Sequence, residues 1–269
     1  MKMQNTVLKI DHVTHYFGGL RAVHDFHMEL PEGVIWGLIG PNGAGKTTIF
    51  NLITGVYIPT EGKIYLRQKK ASGDFYLEDI TKYKPHTIVA KGIARTFQNL
   101  RVFPNLTVLD NIRIAGHFRV KYGLYDAILK TSKFRKEEEK IKEEAMSLLK
   151  MFNLHSRAYT LAKALPYGEL RRLEIARALA THPTLLLLDE PAAGMNPKET
   201  MELLEMIRWI KKEFNLTIFL IEHHMKFVMN ICERIKVMDF GETIAEGTPE
   251  EVSNNPRVIE AYLGRKQHA

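Results

Sequence analysis

Apolar and polar positions alternate between residues 7 and 30, with Leu8 and Ile10 in one stretch, Phe26, Met28 and Leu30 in the next, and "FGG" between them. A period of two predicts strands, and the glycine pair predicts a turn that brings the second strand back antiparallel to the first. The pattern then changes. Three continuous apolar runs, "VIWGLIG" (34–40), "LLLLDE" (185–190) and "LTIFLIE" (216–222), each end in glycine or an acid. Runs with no polar face predict parallel strands covered on both sides. Helical periodicity lies between them: Ile141, Ala145, Leu148, Leu149 and Phe152 fall on one face, and Leu203, Ile207, Ile210 and Phe214 on another. Residues 99–182 carry no parallel-strand run and are rich in helix formers, which predicts a helical insertion. Near the C-terminus "RIKVMDFGETIAEG" predicts a hairpin, and Thr248, Pro249 and Glu251 predict a capped helix start.

These elements predict an α/β protein with a mostly parallel core sheet, an N-terminal antiparallel β-subdomain and an inserted helical subdomain. The division expected is a single domain over 1–269, with the core and β-subdomain at 1–98 and 183–269 and the helical part at 99–182. In such sheets functional groups gather at the carboxyl ends of the strands.

Composition narrows the classes without choosing among them. No apolar run approaches the ~20 residues that cross a bilayer. The start, "MKMQNTVLKIDH", has no apolar signal core, and a single cysteine, Cys232, excludes an internal disulfide framework. A cytosolic location is the expectation. The formal charge of +7 fits nucleic acid, an anionic membrane surface, a nucleotide, or nothing in particular, and decides little by itself.

The chemistry is more specific. Gly40, Pro41, Asn42, Gly43, Ala44, Gly45, Lys46 and Thr47 match G-x-x-x-x-G-K-[ST], placed after a buried strand and before a helical pattern. Glycines let successive N–H groups turn toward phosphate oxygens, the helix N-terminus adds partial positive charge, Lys46 adds a mobile cation, and Thr47 offers a hydroxyl to Mg²⁺. Thr48 continues the same nucleotide-binding stretch. At the end of "LLLLDE", Asp189 can hold Mg²⁺ while Glu190 orients or deprotonates the attacking water, two roles that phosphoryl transfer requires.

With both halves in place, the chain resembles the ATP-binding subunits of ABC transporters over nearly its whole length. The resemblance implies ATP and Mg²⁺ as ligands. It puts Gln98 of "RTFQ" at the Q-loop position, facing Mg²⁺ or the attacking water, and His223 of "FLIEHH" at the switch position, near the γ-phosphate. His224 is read as incidental. "LPYGELRRLEIARALA" is similar to the family signature: Gly168 and Glu169 match its second glycine and glutamine, while Pro166 replaces the serine and Tyr167 the first glycine. Tyr167, Gly168 and Glu169 then face ATP held by a partner subunit, so the resemblance implies a dimer. Asn196 of "AAGMNP" occupies the D-loop position, where many relatives carry aspartate. Phe17, or less readily Tyr16, stands where an aromatic ring stacks on adenine, and the alternative for Tyr16 is to plug the small β-subdomain.

The wording of "EPAAGMNPKET", "IEHHMKFVM" and "GTPEEVSNNPRVIEAYLG" is similar to the branched-chain amino acid importer subfamily, as is the insertion at 116–136. This implies transmembrane permease subunits as partners, a homologous second ATPase or a second copy of this chain, an indirect link to a solute-binding protein, and a peripheral place on the cytoplasmic face of the membrane. Nucleic acid is not expected. The lipopolysaccharide-export ATPases are the nearest rival, and the soluble cassette ATPases of translation or DNA repair a more distant one.

Overall fold

The alternating N-terminal stretch forms β1 (Thr6–Phe17) and β2 (Leu20–Pro31), paired antiparallel across the Gly18–Gly19 turn. The computed structural model describes residues 5–120 and 122–263. Val23, Phe26, Met28 and Leu30 point inward while His27 and Glu29 face out. The change of phase between Val23 and Phe26 is a bulge. Asp25 (φ 47°) and, across the pair, His12 (φ 50°) take left-handed backbone, and His12 Nδ1 lies 2.6 Å from Asp25 Oδ1. After β3 (Ile35–Ile39) and α1 (Lys46–Ile53), β4 (Glu61–Lys69) and β5 (Phe75–Asp79) complete this sheet in the order β2-β1-β4-β5. Then α2 (Pro85–Ala90) leads into the short β6 (Ile93–Arg95).

Thr96–Pro183 forms a compact unit distinct from the remainder of the chain. It contains α3 (Val108–Gly116), α4 (Leu124–Leu129), α5 (Ser132–Met151) and α6 (Tyr167–Leu179). Thr107 and Thr131 accept from backbone N–H groups at the starts of α3 and α5, satisfying donors the helices leave open. The periodic face of α5 is buried at Ile141, Ala145, Leu148 and Leu149. Asn111, fully buried on α3, accepts from Phe103 N–H and donates to the carbonyls of Phe103 and Thr107, which ties down the preceding loop.

The other unit takes in residues up to Arg95 and from Thr184 onward. Here β7 (Leu185–Asp189), α7 (Pro197–Glu213), β8 (Thr217–Ile221), α8 (Met225–Ile231), β9 (Arg234–Asp239) and β10 (Glu242–Gly247) follow in turn. The six-stranded sheet runs β10-β9-β3-β8-β7-β6, with every pair from β9 to β6 parallel. Only β10 is antiparallel, so β9 is one arm of the expected hairpin and also a parallel neighbour of β3. The core between the two sheets includes Phe26, Ile49, Phe50 and Phe219. The chain closes with α9 (Pro249–Ser253), capped by Thr248 and Glu251, and α10 (Pro256–Leu263). Among the described residues, no helix is long and apolar enough to cross a membrane.

Ile207 of α7 is fully buried. Replacing Ile207 with alanine is expected to cost about 2–5 kcal/mol, and with valine about 0.5–1.5 kcal/mol, in urea unfolding. Equal, negligible losses would show that α7 does not pack as described.

Candidate active site

The loop after β3 is shaped by close backbone approach. Gly40 has φ 150°, and a Cβ there would stand 2.0 Å from Met238 O; Gly45 has φ 98°, and its Cβ would stand 2.5 Å from Ala22 O. Only glycine meets both demands. The loop is also tied down: Gly241 N–H, in the β9–β10 turn, donates to Ala44 O, while Gly241 O accepts from His24 N–H. Gly43 (φ 80°) borders open space, with nothing within 4 Å of a Cβ position, which leaves its backbone accessible. Helix α1 starts from Gly45 with no side chain capping its first turn. Lys46 is buried, and its Nζ donates to Gly40 O and Pro41 O at 2.8 Å each. Burial lowers the ammonium pKa, while Glu190 and Asp189 act to raise it. Uncapped N–H groups, an open glycine and a tethered cation on a fixed loop suit phosphate oxygens.

Parallel pairing delivers the acids to the same end of the sheet. Asp189 is level with Ile221 across β7 and β8, and Ile221 is level with Leu38 of β3. Asp189 Oδ2 accepts from Arg95 at 2.7 Å in a buried pair, and Arg95 also donates to Asn51 Oδ1 on α1 at 2.7 Å. Arg95 was not singled out from the sequence, because an arginine in a three-residue strand carries no local sign of its partners. Glu190 takes left-handed backbone, φ 44°, while its N–H donates to Ile221 O. Its Oε2 lies 3.4 Å from His223 Nδ1. Of the three side chains expected to act in catalysis, Glu190, His223 and Gln98, the first two therefore stand together.

Glu222 holds this corner in place. Fully buried, it accepts from Ala192 N–H at 2.9 Å through one oxygen and from the N–H groups of His223 and His224 through the other. The His224 ring also sits 3.2 Å from Glu222 Oε2, so His224 helps anchor the turn. An acid following a buried strand was the only sequence signal for Glu222.

Phe17 lies at the hairpin end, 41% exposed, edge-on to His15 and Tyr57 at 4.6 and 5.1 Å. Tyr16 is also exposed, so it does not plug the β-subdomain. Burial lowers the pKa of His15, which favours a neutral ring beneath Phe17. From the far end of the chain, α10 sets the partly buried phenol of Tyr262 beside the Gly40 backbone, and burial pushes its pKa up to about 12.

Asn196 is the N-cap of α7: its side chain accepts from Glu199 N–H and Glu199 returns the bond, with Pro197 next in the chain. In the helical unit, α6 starts at Tyr167 directly after Pro166, so Tyr167, Gly168 and Glu169 form its first turn. Gln98 is exposed on the loop after β6. That loop is bracketed by Glu174 of α6, which accepts from both Phe97 N–H and Arg101 N–H, while Arg171 donates to Phe97 O. Arg171 and Glu174 are themselves paired at 2.7 Å, essentially unexposed.

Comparison with known proteins agrees with this architecture. The ABC transporter family matches residues 23–193. The chain belongs to that family. A second family, the branched-chain amino acid ATP-binding cassette transporter, matches residues 242–268, the stretch that contains β10, α9, α10 and Tyr262. The chain is 46% identical over 97% of its length to the high-affinity branched-chain amino acid transport ATP-binding protein LivG of Salmonella typhimurium, covering 99% of that protein. It is 44% identical, with the same coverage, to BraF of Pseudomonas aeruginosa, which has the same description. The crystal structure of the ADP conformation of MJ1267, an ATP-binding cassette of an ABC transporter, superimposes with a TM-score of 0.80 at 30% identity, covering 96% of this chain and 99% of that one. This cassette is therefore an ATP-binding ATPase subunit of a transporter, the kind of subunit that works with membrane permease components.

The Arg171–Glu174 pair yields a prediction. Glu174→Ala leaves a buried guanidinium without its carboxylate and is expected to cost about 3–5 kcal/mol in urea unfolding. The double change Arg171→Met with Glu174→Leu is expected to cost less than Glu174→Ala, since no buried charge is left unpaired. It is still destabilising, since Phe97 N–H, Arg101 N–H and Phe97 O lose their partners. A double variant at least as unstable as Glu174→Ala would show that the loop's backbone bonds, and not the unpaired guanidinium, carry the cost.

Proposed function

We propose that this cassette hydrolyses ATP to power uptake of branched-chain amino acids, with Glu190 and His223 as the hydrolytic pair. The observation that carries the hydrolytic reading is the 3.4 Å approach of His223 Nδ1 to Glu190 Oε2 at the carboxyl end of the sheet that also bears the glycine loop. The carboxylate of Glu190 orients water and takes its proton, and the His223 ring steadies that carboxylate and faces the terminal phosphate. Residues 40–48 enclose the phosphates through backbone N–H groups and Lys46, which exchanges its two carbonyl partners for phosphate oxygens. Phe17 stacks on the adenine.

Thr47 would offer a hydroxyl and Asp189 a carboxylate oxygen to a hard cation, and Gln98 would add a side-chain oxygen, donor types that suit Mg²⁺. Mg²⁺ held there supplies charge neutralisation on the phosphates. Arg95 fixes the Asp189 carboxylate for that role.

Tyr167, Gly168 and Glu169 face ATP bound by a partner cassette, and Asn196 lies at the contact between the two. The partner is a homologous ATPase or a second copy of this chain. The pair sits peripherally on the cytoplasmic face of the membrane, against permease subunits fed by a solute-binding protein, with no nucleic acid involved. The amino-acid substrate rests on the relatives and on the C-terminal match at 242–268.

Glu190→Gln is expected to retain ATP binding and lower turnover by about a hundredfold or more in a phosphate-release assay. Turnover at the wild-type rate would remove Glu190 from the mechanism. Lys46→Ala is expected to lose nucleotide affinity in fluorescence titration, and unchanged affinity would contradict the loop assignment. For the substrate, the assay is ATP-dependent uptake of radiolabelled leucine by vesicles carrying this cassette with its permeases. Uptake of an unrelated solute with none of leucine would overturn that part of the reading.

A further inference from the structure

Helix α4 turns its apolar face away from the protein. Leu124, Tyr125, Ile128 and Leu129 are between 57% and 79% exposed, whereas Asp126 and Ala127 are the half-buried members of the helix. The spacing i, i+1, i+4, i+5 places the four exposed side chains on one stripe. The orientation is fixed. Asp126 accepts from Gly123 N–H and from the Thr131 hydroxyl, and its carbonyl accepts from Thr131 N–H. The preceding Tyr122 packs edge-on against Phe134 of α5 at 5.0 Å and donates to Glu138 at 2.7 Å.

Charge accompanies this face. Residues 116–136 contain Arg119, Lys121, Lys130, Lys133, Arg135 and Lys136 against one acid, Asp126; of the three acids that follow, Glu138 is taken up by Arg113 and Glu139 by Lys142. Of these, Lys130, Lys133, Arg135 and Lys136 are exposed at the end of α4 and in the first turns of α5. An outward apolar stripe bordered by cations is the chemistry of an anionic bilayer surface: short apolar side chains enter the acyl boundary while ammonium groups meet phosphates. Three of the four cations are lysines, whose flexible point charges suit a fluid headgroup layer better than a fixed bidentate contact.

We propose that α4 and the start of α5 form a lipid-docking surface that binds anionic headgroups, an inference that rests on the reading of the cassette as a peripheral membrane ATPase. Contacts with the permeases then need not supply all of the cassette's hold on the membrane.

The test is flotation of the full chain with vesicles of phosphatidylglycerol and phosphatidylcholine, compared with vesicles of phosphatidylcholine alone. The wild type is expected to float with the anionic vesicles and to be released by salt. Leu124→Asp with Ile128→Asp is expected to lower the bound fraction about tenfold, as is the triple change of Lys130, Lys133 and Lys136 to alanine. Both variants should keep ATP turnover in solution, which shows that they are folded. The proposal is overturned if the wild type ignores anionic vesicles at low salt, or if the Leu124 and Ile128 variant floats unchanged. It is equally overturned if that variant loses only copurification with the permeases, which would assign the face to a protein partner. Absence of ATP turnover in a wild type that still floats would count against the proposed function and leave the lipid surface standing.

Discussion

Three central strands that carry no charge before their last residue set the layout of the site. Ile35–Ile39, Leu185–Asp189 and Thr217–Ile221 are buried at every position. Each large aliphatic side chain among them contributes about 1.5–3 kcal/mol by leaving water, and an unpaired polar group in its place would forfeit that and add a desolvation penalty. Chemistry is therefore possible only where the strands end. Parallel register brings those ends level, so Gly40, Glu190 and the Glu222–His223 turn meet without any of them being close in sequence.

Buried charges then do what apolar packing cannot: they fix loops. Arg95 joins β6, α1 and the end of β7 through Asp189 and Asn51. Glu222 gathers three backbone N–H groups from two loops. Arg171 and Glu174 hold the loop that bears Gln98. Each pair gains little net free energy once desolvation is counted, but removing one partner is expensive, so these charges act chiefly on geometry. The Gly241 contact with Ala44 and the approach of Tyr262 to Gly40 extend the same control to the glycine loop from the C-terminal stretch.

Sequence periodicity revealed the elements whose signal is local. The N-terminal alternation, the runs of β3, β7 and β8, the stripes of α5 and α7 and the capped start of α9 could all be read directly. The strand β6 could not, because "IAR" is too short for a period and is held by β7, about ninety residues later. Nor could the parallel pairing of β9, since a hairpin pattern records one neighbour and not the other. The glycine loop and the acid pair were legible because their chemistry demands particular residues at particular spacings. Arg95, Glu222, Arg171, Glu174 and Tyr262 were not, because a buried polar side chain is recognisable only by its partners, and those lie far away in sequence or on backbone atoms. The outward face of α4 was hidden for the opposite reason: its apolar residues look like core until the fold shows which way they point.

The central claim is that Glu190 and His223 act on water as a unit. A double-mutant cycle on single-turnover ATP hydrolysis tests it most directly, using Glu190→Gln, His223→Ala and the two combined, each with nucleotide saturating. Residues that serve one step lose nearly the same rate singly as together, so the double variant is predicted to be scarcely slower than Glu190→Gln alone. Losses that multiply, with each variant keeping its full effect in the presence of the other, would contradict the account.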